Sequence, residues 1–483
     1  MVESLKAKAV RGIAWTASGQ VVRQVMQVAT LLILGRLLAP SDFGLIGMAM
    51  FLVGIGQLIA EFGMGAAIVQ SQTTSRRVLS SCFWLNMAIA VAMCLMLVAG
   101  APLVGRFYER ADLVPVIVVL AFTLLLNALH TVPAALIYRS MRFADLAKAQ
   151  LIGTLLGSVC AIGLALSGAG VWSLVGQPLV GSSATLLSYL RIQRWLPRLE
   201  YSWADLKPLA RFSGALFGTK MLDYVQRNAE TVLVGRVLGA QQLGLYSMAM
   251  QIILYPLQQV SSTFVKVLVP VLIALKDEPS RMQAAYLKSI SSIALVTFPL
   301  MGGLFVLADD FVAVVFGPAW AEMIPLLKLL AWVGMAQSVG TAIGTLYVST
   351  GNVTLALRVT AITTPILIAG VAAGLPWGTL GVAAGYAIVY FPIFFWTMVM
   401  GFRLIGLRFS AFALALARPL ACTLVMTLVL EFVVWRWTSE PALRLAVLVA
   451  AGSLVYVLAS LMVNRAQLVE ILALVRSLRA AKR

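Results

Sequence analysis

Charge is scarce in this sequence: Asp, Glu, Lys and Arg fill 11% of its 483 positions, against 61% for hydrophobic residues. Ordinary soluble domains carry about 25% charged residues, so the shortage excludes a water-soluble globular protein and a soluble enzyme with it. Histidine is almost missing, with His130 alone. A single imidazole excludes a His-based metal site and leaves the chain no usual Ser-His-Asp arrangement. No glycine-rich phosphate loop ending in Gly-Lys-Ser/Thr occurs, so nothing points to nucleotide-driven transport. The four cysteines, Cys82, Cys94, Cys160 and Cys422, fall inside apolar segments and form no C-x-x-C pair; they read as small core residues. Long polar stretches are also lacking, and with them the extramembrane loop in which a glycosyltransferase or polymerase site would sit.

What the sequence has is apolar runs. A bilayer core of roughly 30 Å takes about 20 apolar residues per helix, which gives the chain room for about fourteen spans joined by short loops. Six runs lie near 13–38, 43–70, 78–104, 113–137, 146–168 and 171–190, and eight more near 213–238, 243–275, 287–308, 325–349, 355–374, 378–401, 411–435 and 442–463. The start of the chain carries Lys6, Lys8 and Arg11, and its first run contains Gln20, Arg23, Gln24 and Gln27. That composition suits a first transmembrane helix with one polar face better than a cleaved signal.

The net charge of +18 follows topology, not nucleic acid. Arg76 and Arg77, then Arg139, Arg142 and Lys148, then Arg191, Arg194, Arg198, Lys207 and Arg211, then Lys276, Arg281 and Lys288, then Arg403 and Arg408 alternate with connections poor in bases. By the positive-inside rule these are cytoplasmic, as are both termini. Outside, Arg106, Arg110, Arg436 and Arg444 sit near Glu109, Asp112, Glu431 or Glu440, while Asp309, Asp310 and Glu322 occupy a connection with no base. The tail, 464–483, places Leu468, Leu472, Val475 and Leu478 on one helical face and bases on the other, which suits an interfacial helix on the inner leaflet.

Residues 33–50 and 233–250 repeat without a gap at an offset of 200: Gly35/Gly235, Arg36/Arg236, Leu38/Leu238, Gly44/Gly244, Leu45/Leu245 and Met48-Ala49-Met50/Met248-Ala249-Met250. Arginine is rare in apolar segments and here falls in register, which marks a duplication. Six helices separate equivalent points, so the repeats are parallel, an architecture of alternating-access transporters. The expected organisation is an all-α membrane protein: a six-helix bundle at 1–190, a basic cytoplasmic linker at 191–212, a second six-helix bundle at 213–401, two appended helices at 402–463 and the basic tail. Arg36 and Arg236, before a tight turn, read as capping or snorkelling residues.

Ionisable residues inside a membrane usually face a cavity or a partner. Lys220, Asp223, Arg227 and Glu230 are spaced three, four and three apart on the seventh helix and form one stripe. The equivalent positions of the first helix are Gln20, Arg23, Gln27 and Thr30. Glu61 on the second helix, and Gln259, Ser262 and Lys266 on the eighth, complete the expected lining of a central cavity. Arg23, Lys220, Arg227 and Lys266, with Gln20, Gln27 and Gln259, are the expected substrate-binding residues; Asp223, Glu230 and Glu61 balance charge or bind a coupling ion. The competing reading is that the stripe only pairs within itself to tie helices together. His130 falls near the outer end of the fourth helix and reads as a bundle or interface residue before a proton relay.

The opening Lys8, Ala9, Gly12 and Trp15 (K-A-x-x-G-x-x-W), LGRLLAPSDFGLIGMA at 34–49, EFGMGAAIVQ at 61–70 and IPLLKLLAWVGMAQSVGTAIGTLYVSTG at 324–351 resemble the polysaccharide-transporter branch of the multidrug/oligosaccharidyl-lipid/polysaccharide exporter superfamily. These are the Wzx-type flippases, here most like the exopolysaccharide and colanic-acid subgroup. The resemblance implies an inner-membrane flippase moving undecaprenyl-pyrophosphate-linked oligosaccharide, with the cavity cations holding the sugar pyrophosphate. No cofactor is expected, and the motifs do not decide whether a proton or sodium gradient is coupled to transport; membrane lipids and a polysaccharide polymerase or export complex are the expected partners. Two other readings stand beside it: an ion-coupled multidrug antiporter of the same superfamily, whose cavity would be acidic and aromatic, and a non-transporting assembly partner of a polymerase.

Overall fold

The computed structural model describes residues 2–61, 68, 75–437 and 440–463. Within these helices the side chains of 2–18, 204–216, 219, 220, 222, 223, 353, 435 and 436 lie outside the description, as do the expected tail helix and most of the 61–70 motif. Every described element is helical: α1 (Val2–Leu37), α2 (Pro40–Glu61), α3 (Arg76–Phe107), α4 (Leu113–Arg139), α5 (Phe143–Leu166), α6 (Val171–Ile192), α7 (Trp203–Ala274), α8 (Pro279–Phe311), α9 (Ile324–Gly340), α10 (Ile343–Ser349), α11 (Val353–Gly374), α12 (Gly378–Ile405), α13 (Phe409–Arg436) and α14 (Pro441–Val463). Punctuation in the sequence sets their ends. Ser75 caps α3 by accepting from the Val78 amide at 3.2 Å, and Gly406, left-handed at φ 67°, ends α12.

Among the described residues, ten segments are long and apolar enough to cross a membrane. Two of them, Tyr224–Ala274 with 51 residues and Thr354–Ile405 with 52, would extend about 75 Å each as single helices, more than twice the bilayer core. Each is long enough for two crossings. In α7 the break is Gly239, whose φ of 82° and ψ of 178° only glycine adopts freely. The helices α1 and α6 fall short of the same hydropathy criterion, α1 because of its glutamines and Arg23, α6 because of Gln177, Ser182 and Ser183.

The chain divides into two compact units, Met1–Gly244 and Leu245–Arg483. The expected first bundle, the linker and the arm of α7 before Gly239 all fall in the first unit, whereas the sequence groups that arm with the second bundle. In the first unit α5 packs on α1 and α6, and α4 packs on α2, α3 and α6. The α5–α6 contact is tight: a Cβ at Gly157 would stand 2.6 Å from the Gln177 carbonyl oxygen, the small-residue packing of membrane helices. The linker is not a slack tether. Trp84 Nε1 donates to the Arg198 carbonyl at 2.7 Å, the Arg198 amide to Ser80 Oγ at 3.0 Å and the Ser202 amide to Ser81 Oγ at 2.9 Å, while Trp195 is buried against Phe83.

The repeated motif now has a physical meaning. A Cβ on Gly44 would lie 1.7 Å from the Ala240 carbonyl oxygen, and one on Gly244 would lie 1.8 Å from the Pro40 carbonyl oxygen. Pro40 and Ala240 are themselves related by the 200-residue offset, so the two copies of the motif touch each other reciprocally, glycine against carbonyl in both directions. Arg236, in the second copy, bonds Glu109 at 2.7 Å and stacks over Phe107. It is a long-range ion pair in place of the expected local cap.

In the second unit α8 is surrounded by α9, α13 and α14. The two helices after the second repeat are integral to this unit, not an appendage: Met426 and Leu430 of α13 and Leu448 and Tyr456 of α14 share a buried cluster with Leu295, Val306 and Leu307 of α8. The Tyr456 hydroxyl also donates to the Leu295 carbonyl at 2.8 Å. The acidic connection has no base of its own, and its carboxylates are paired from neighbouring helices: Asp309 with Lys328 of α9 at 2.6 Å, and Asp310 with Arg444 of α14.

Candidate functional site

Within the first unit, α2, α3, α4, α5 and α6 line an open cavity of about 530 Å³. The fourth helix supplies most of it. Asn127, Thr131, Ala134 and Tyr138 recur at intervals of four, three and four and so share one face, with His130 beside them. Opposite stand Gln57 and Glu61 of α2, Asn86 of α3, Gln150 of α5 and Tyr189 of α6.

The polar groups form a chain. His130 Nε2 and Asn127 Oδ1 lie 3.0 Å apart, a hydrogen bond between ring and amide. The His130 ring meets Tyr189 edge-on, with centroids 5.9 Å apart. Asn86 Nδ2 donates to Thr131 Oγ1 at 3.3 Å, and Thr131 Oγ1 to the Asn127 carbonyl at 2.8 Å. Gln150 Nε2 donates to the Tyr189 hydroxyl at 3.4 Å. On its other side Gln150 Oε1 accepts from Arg23 Nη1 at 2.7 Å, and Arg23 Nη2 donates to Gln20 Oε1 at 2.6 Å. A second space of about 150 Å³, lined by Gln20, Arg23, Tyr138, Phe143 and Gln150 among others, shares Tyr138, Leu146 and Gln150 with the first.

Of the residues expected from the sequence, the structure brings Arg23, Gln20 and Glu61 to these two adjoining spaces. Gln27 is exposed farther along α1. Arg227 is exposed and Glu230 half-buried on the first arm of α7; the side chains of Lys220 and Asp223 lie outside the described residues. Gln259 and Lys266 are exposed on the second arm of α7, in the second unit. His130 is nine residues before Arg139 and seventeen after Leu113. It therefore belongs to the half of α4 near the basic Arg139–Arg142 turn, the inner half on the expected topology, and not near the outer end. The cavity residues Gln57, Asn86, Asn127, Thr131, Gln150 and Tyr189 carry no charge and so belong to no charged stripe; their one trace in the sequence is Asn127 and Thr131, four apart within an apolar run.

Among the described residues no carboxylate pairs with Arg23. Its guanidinium makes two bonds to neutral amide oxygens, which orient the cation without cancelling its charge.

A family described as polysaccharide biosynthesis protein matches residues 33–325. The chain is 26% identical over 393 residues to the lipopolysaccharide biosynthesis protein WzxC of Escherichia coli K12, covering 80% of this chain and 79% of that one. It is 30% identical over 332 residues to the succinoglycan biosynthesis transport protein ExoT of Rhizobium meliloti, covering 68% and 67%. Among solved structures, the lipid II flippase MurJ in an inward closed conformation superposes with a TM-score of 0.73 over 93% of this chain and 98% of that one, at 14% identity. An inward-facing multidrug MATE transporter gives 0.64 over 80% and 94%, also at 14%. The fold is that of these transporters, and the family match over residues 33–325, more than half of the chain, makes this chain a member of the polysaccharide biosynthesis protein family of multi-pass membrane proteins.

Proposed function

We propose that this protein is a flippase that carries undecaprenyl-pyrophosphate-linked oligosaccharide across the inner membrane for exopolysaccharide or lipopolysaccharide assembly. It is a transporter and not an enzyme. The observation that carries the reading is Arg23: a half-buried guanidinium on a membrane helix, held by Gln20 and Gln150 with no described carboxylate beside it. An arginine that keeps its charge inside a membrane protein calls for an anionic partner, and its planar fork suits phosphate oxygens. The family membership supplies the cargo class, since relatives are named for lipopolysaccharide biosynthesis and succinoglycan transport.

In this reading Lys220, Arg227 and Lys266 add positive charge, with Gln27 and Gln259 alongside, as the two repeats rock between inward and outward access with both termini in the cytoplasm. Glu61, Asp223 and Glu230 balance charge or bind the proton or sodium ion that drives the cycle, and a polysaccharide polymerase or export complex receives the product. The lipid tail stays in the bilayer throughout.

The test is complementation of polymer export in a flippase-deficient strain. Arg23→Ala, at wild-type membrane abundance by immunoblot, is expected to lower export at least tenfold and to accumulate lipid-linked repeat units on the cytoplasmic side. Arg23→Lys should recover part of it, because a point charge replaces a bidentate fork. Normal export by Arg23→Ala, Lys220→Ala, Arg227→Ala and Asp223→Ala alike would make the stripe structural and remove the cationic site.

A further inference from the structure

We propose that the cavity of the first unit is the sugar subsite of this transporter, taking the uncharged sugar next to the pyrophosphate of the cargo; this rests on the flippase reading above. Three observations carry it. The first is the chemistry of the walls. Gln57, Asn86, Asn127, Thr131, Gln150 and Tyr189 are neutral groups that donate and accept, as the hydroxyls of a pyranose require, and the rings of His130, Tyr138 and Tyr189 offer flat apolar surface for its C–H faces. A site for an apolar drug would not need six amides and hydroxyls, and one for a second phosphate would need another cation.

The second observation is unmet bonding capacity. Asn86 Oδ1 and His130 Nδ1 are buried with no partner among the described residues, although buried polar atoms are nearly always bonded. A sugar hydroxyl both donates and accepts, so it can complete either atom. The cavity of about 530 Å³ lies within the ~300–1,000 Å³ range of small-molecule sites.

The third observation is adjacency. Gln150 is the shared wall: one end of its amide holds Arg23 and the other bonds Tyr189 inside the cavity. In a glycosyl pyrophosphate the anion and the first sugar are joined directly. A phosphate at Arg23 and a sugar against Tyr189, His130 and Asn127 reproduce that order of charge and hydroxyls. Glu61, exposed at the end of α2 and lining the same cavity, adds a negative charge that disfavours an acidic sugar there.

The experiment uses the full chain in lipid nanodiscs and three probes: undecaprenyl pyrophosphate, undecaprenyl-pyrophosphoryl-glucose and undecaprenyl-pyrophosphoryl-glucuronic acid. The wild type is expected to bind the glucosyl lipid more tightly than the other two. Asn127→Ala and His130→Phe should each weaken the glucosyl lipid about tenfold, the size of one or two lost hydrogen bonds, and leave bare undecaprenyl pyrophosphate unchanged. Thr131→Val, nearly isosteric, guards against a packing artefact and should give the same pattern. Equal loss on both lipids, or no loss on the glucosyl lipid, overturns the sugar subsite. Arg23→Ala should weaken both lipids; if it weakens neither, the cationic site fails independently of the sugar comparison.

Discussion

Gly244→Val is expected to remove export entirely and to reduce the amount of folded protein in the membrane, and Gly44→Val to do the same. A Cβ at Gly244 would sit 1.8 Å from the Pro40 carbonyl oxygen and 3.1 Å from the Gly44 amide nitrogen; one at Gly44 would sit 1.7 Å from the Ala240 carbonyl oxygen. These neighbours are backbone, so no rotamer change relieves the collision. Overpacking against movable side chains costs about 1–3 kcal/mol, and a contact more than 1 Å too short against two rigid helix starts exceeds that. The helices must part, which breaks the reciprocal partner contact as well, so one substitution disables both copies of the motif. Gly47→Ala is the control on the same helix: its Cβ would meet only Leu243 Cδ2 at an ordinary 3.7 Å. Immunoblots of membranes, thermal melting of purified protein and export assays should place Gly47→Ala near wild type and both valine variants far below it. A Gly244→Val variant that melts and exports like Gly47→Ala would show that the motif contact is dispensable.

That contact also shows what the sequence discloses and what it withholds. The duplication at an offset of 200 was legible because glycine and arginine recur in register; that the two copies touch was not, because a one-dimensional repeat carries no information on whether its copies face each other. Apolar run length located the helices, since each must satisfy its own backbone in lipid. It did not show that the α7 arm before Gly239 belongs with the first unit: Tyr224 reaches the Met50 and Phe51 carbonyls at 3.0 and 3.2 Å, pairings between residues some 170 positions apart that no periodicity reveals. At the site, Arg23, Gln20 and Glu61 stood out because charge and amides are rare in such a background. The cavity did not, because Asn127 and Thr131 on α4 and Gln150 on α5 are neutral and sit on separate helices, and only packing converts them into one wall.

Charge pairing at the far end of the second unit leads to the second large effect. Arg444→Ala is expected to destabilise the protein by up to about 3–5 kcal/mol, the cost of stripping the partner from a buried charge, lessened to the extent that the Arg444 side chain is itself 22% exposed. Local sequence pairs Arg444 with its neighbour Glu440, but its guanidinium instead bonds both oxygens of Asp310, at 2.8 Å through Nε, and the Trp437 carbonyl at 3.2 Å. Asp310 is 3% exposed, so without Arg444 its carboxylate is left buried and uncompensated. The loss should be smaller when the charge goes too: Arg444→Leu with Asp310→Asn should recover much of the melting temperature lost by Arg444→Ala, because an amide costs less to bury than an ion. This distinguishes an electrostatic defect from lost packing, which the double substitution would only deepen. Because the pair fastens the start of α14 to the end of α8, the single variant should also loosen the shared cluster around Leu448 and Tyr456, read as faster proteolysis in the α13–α14 connection. Melting unchanged in Arg444→Ala would mean that the apolar contacts of α13 and α14 on α8 suffice to hold the two helices beyond the second repeat.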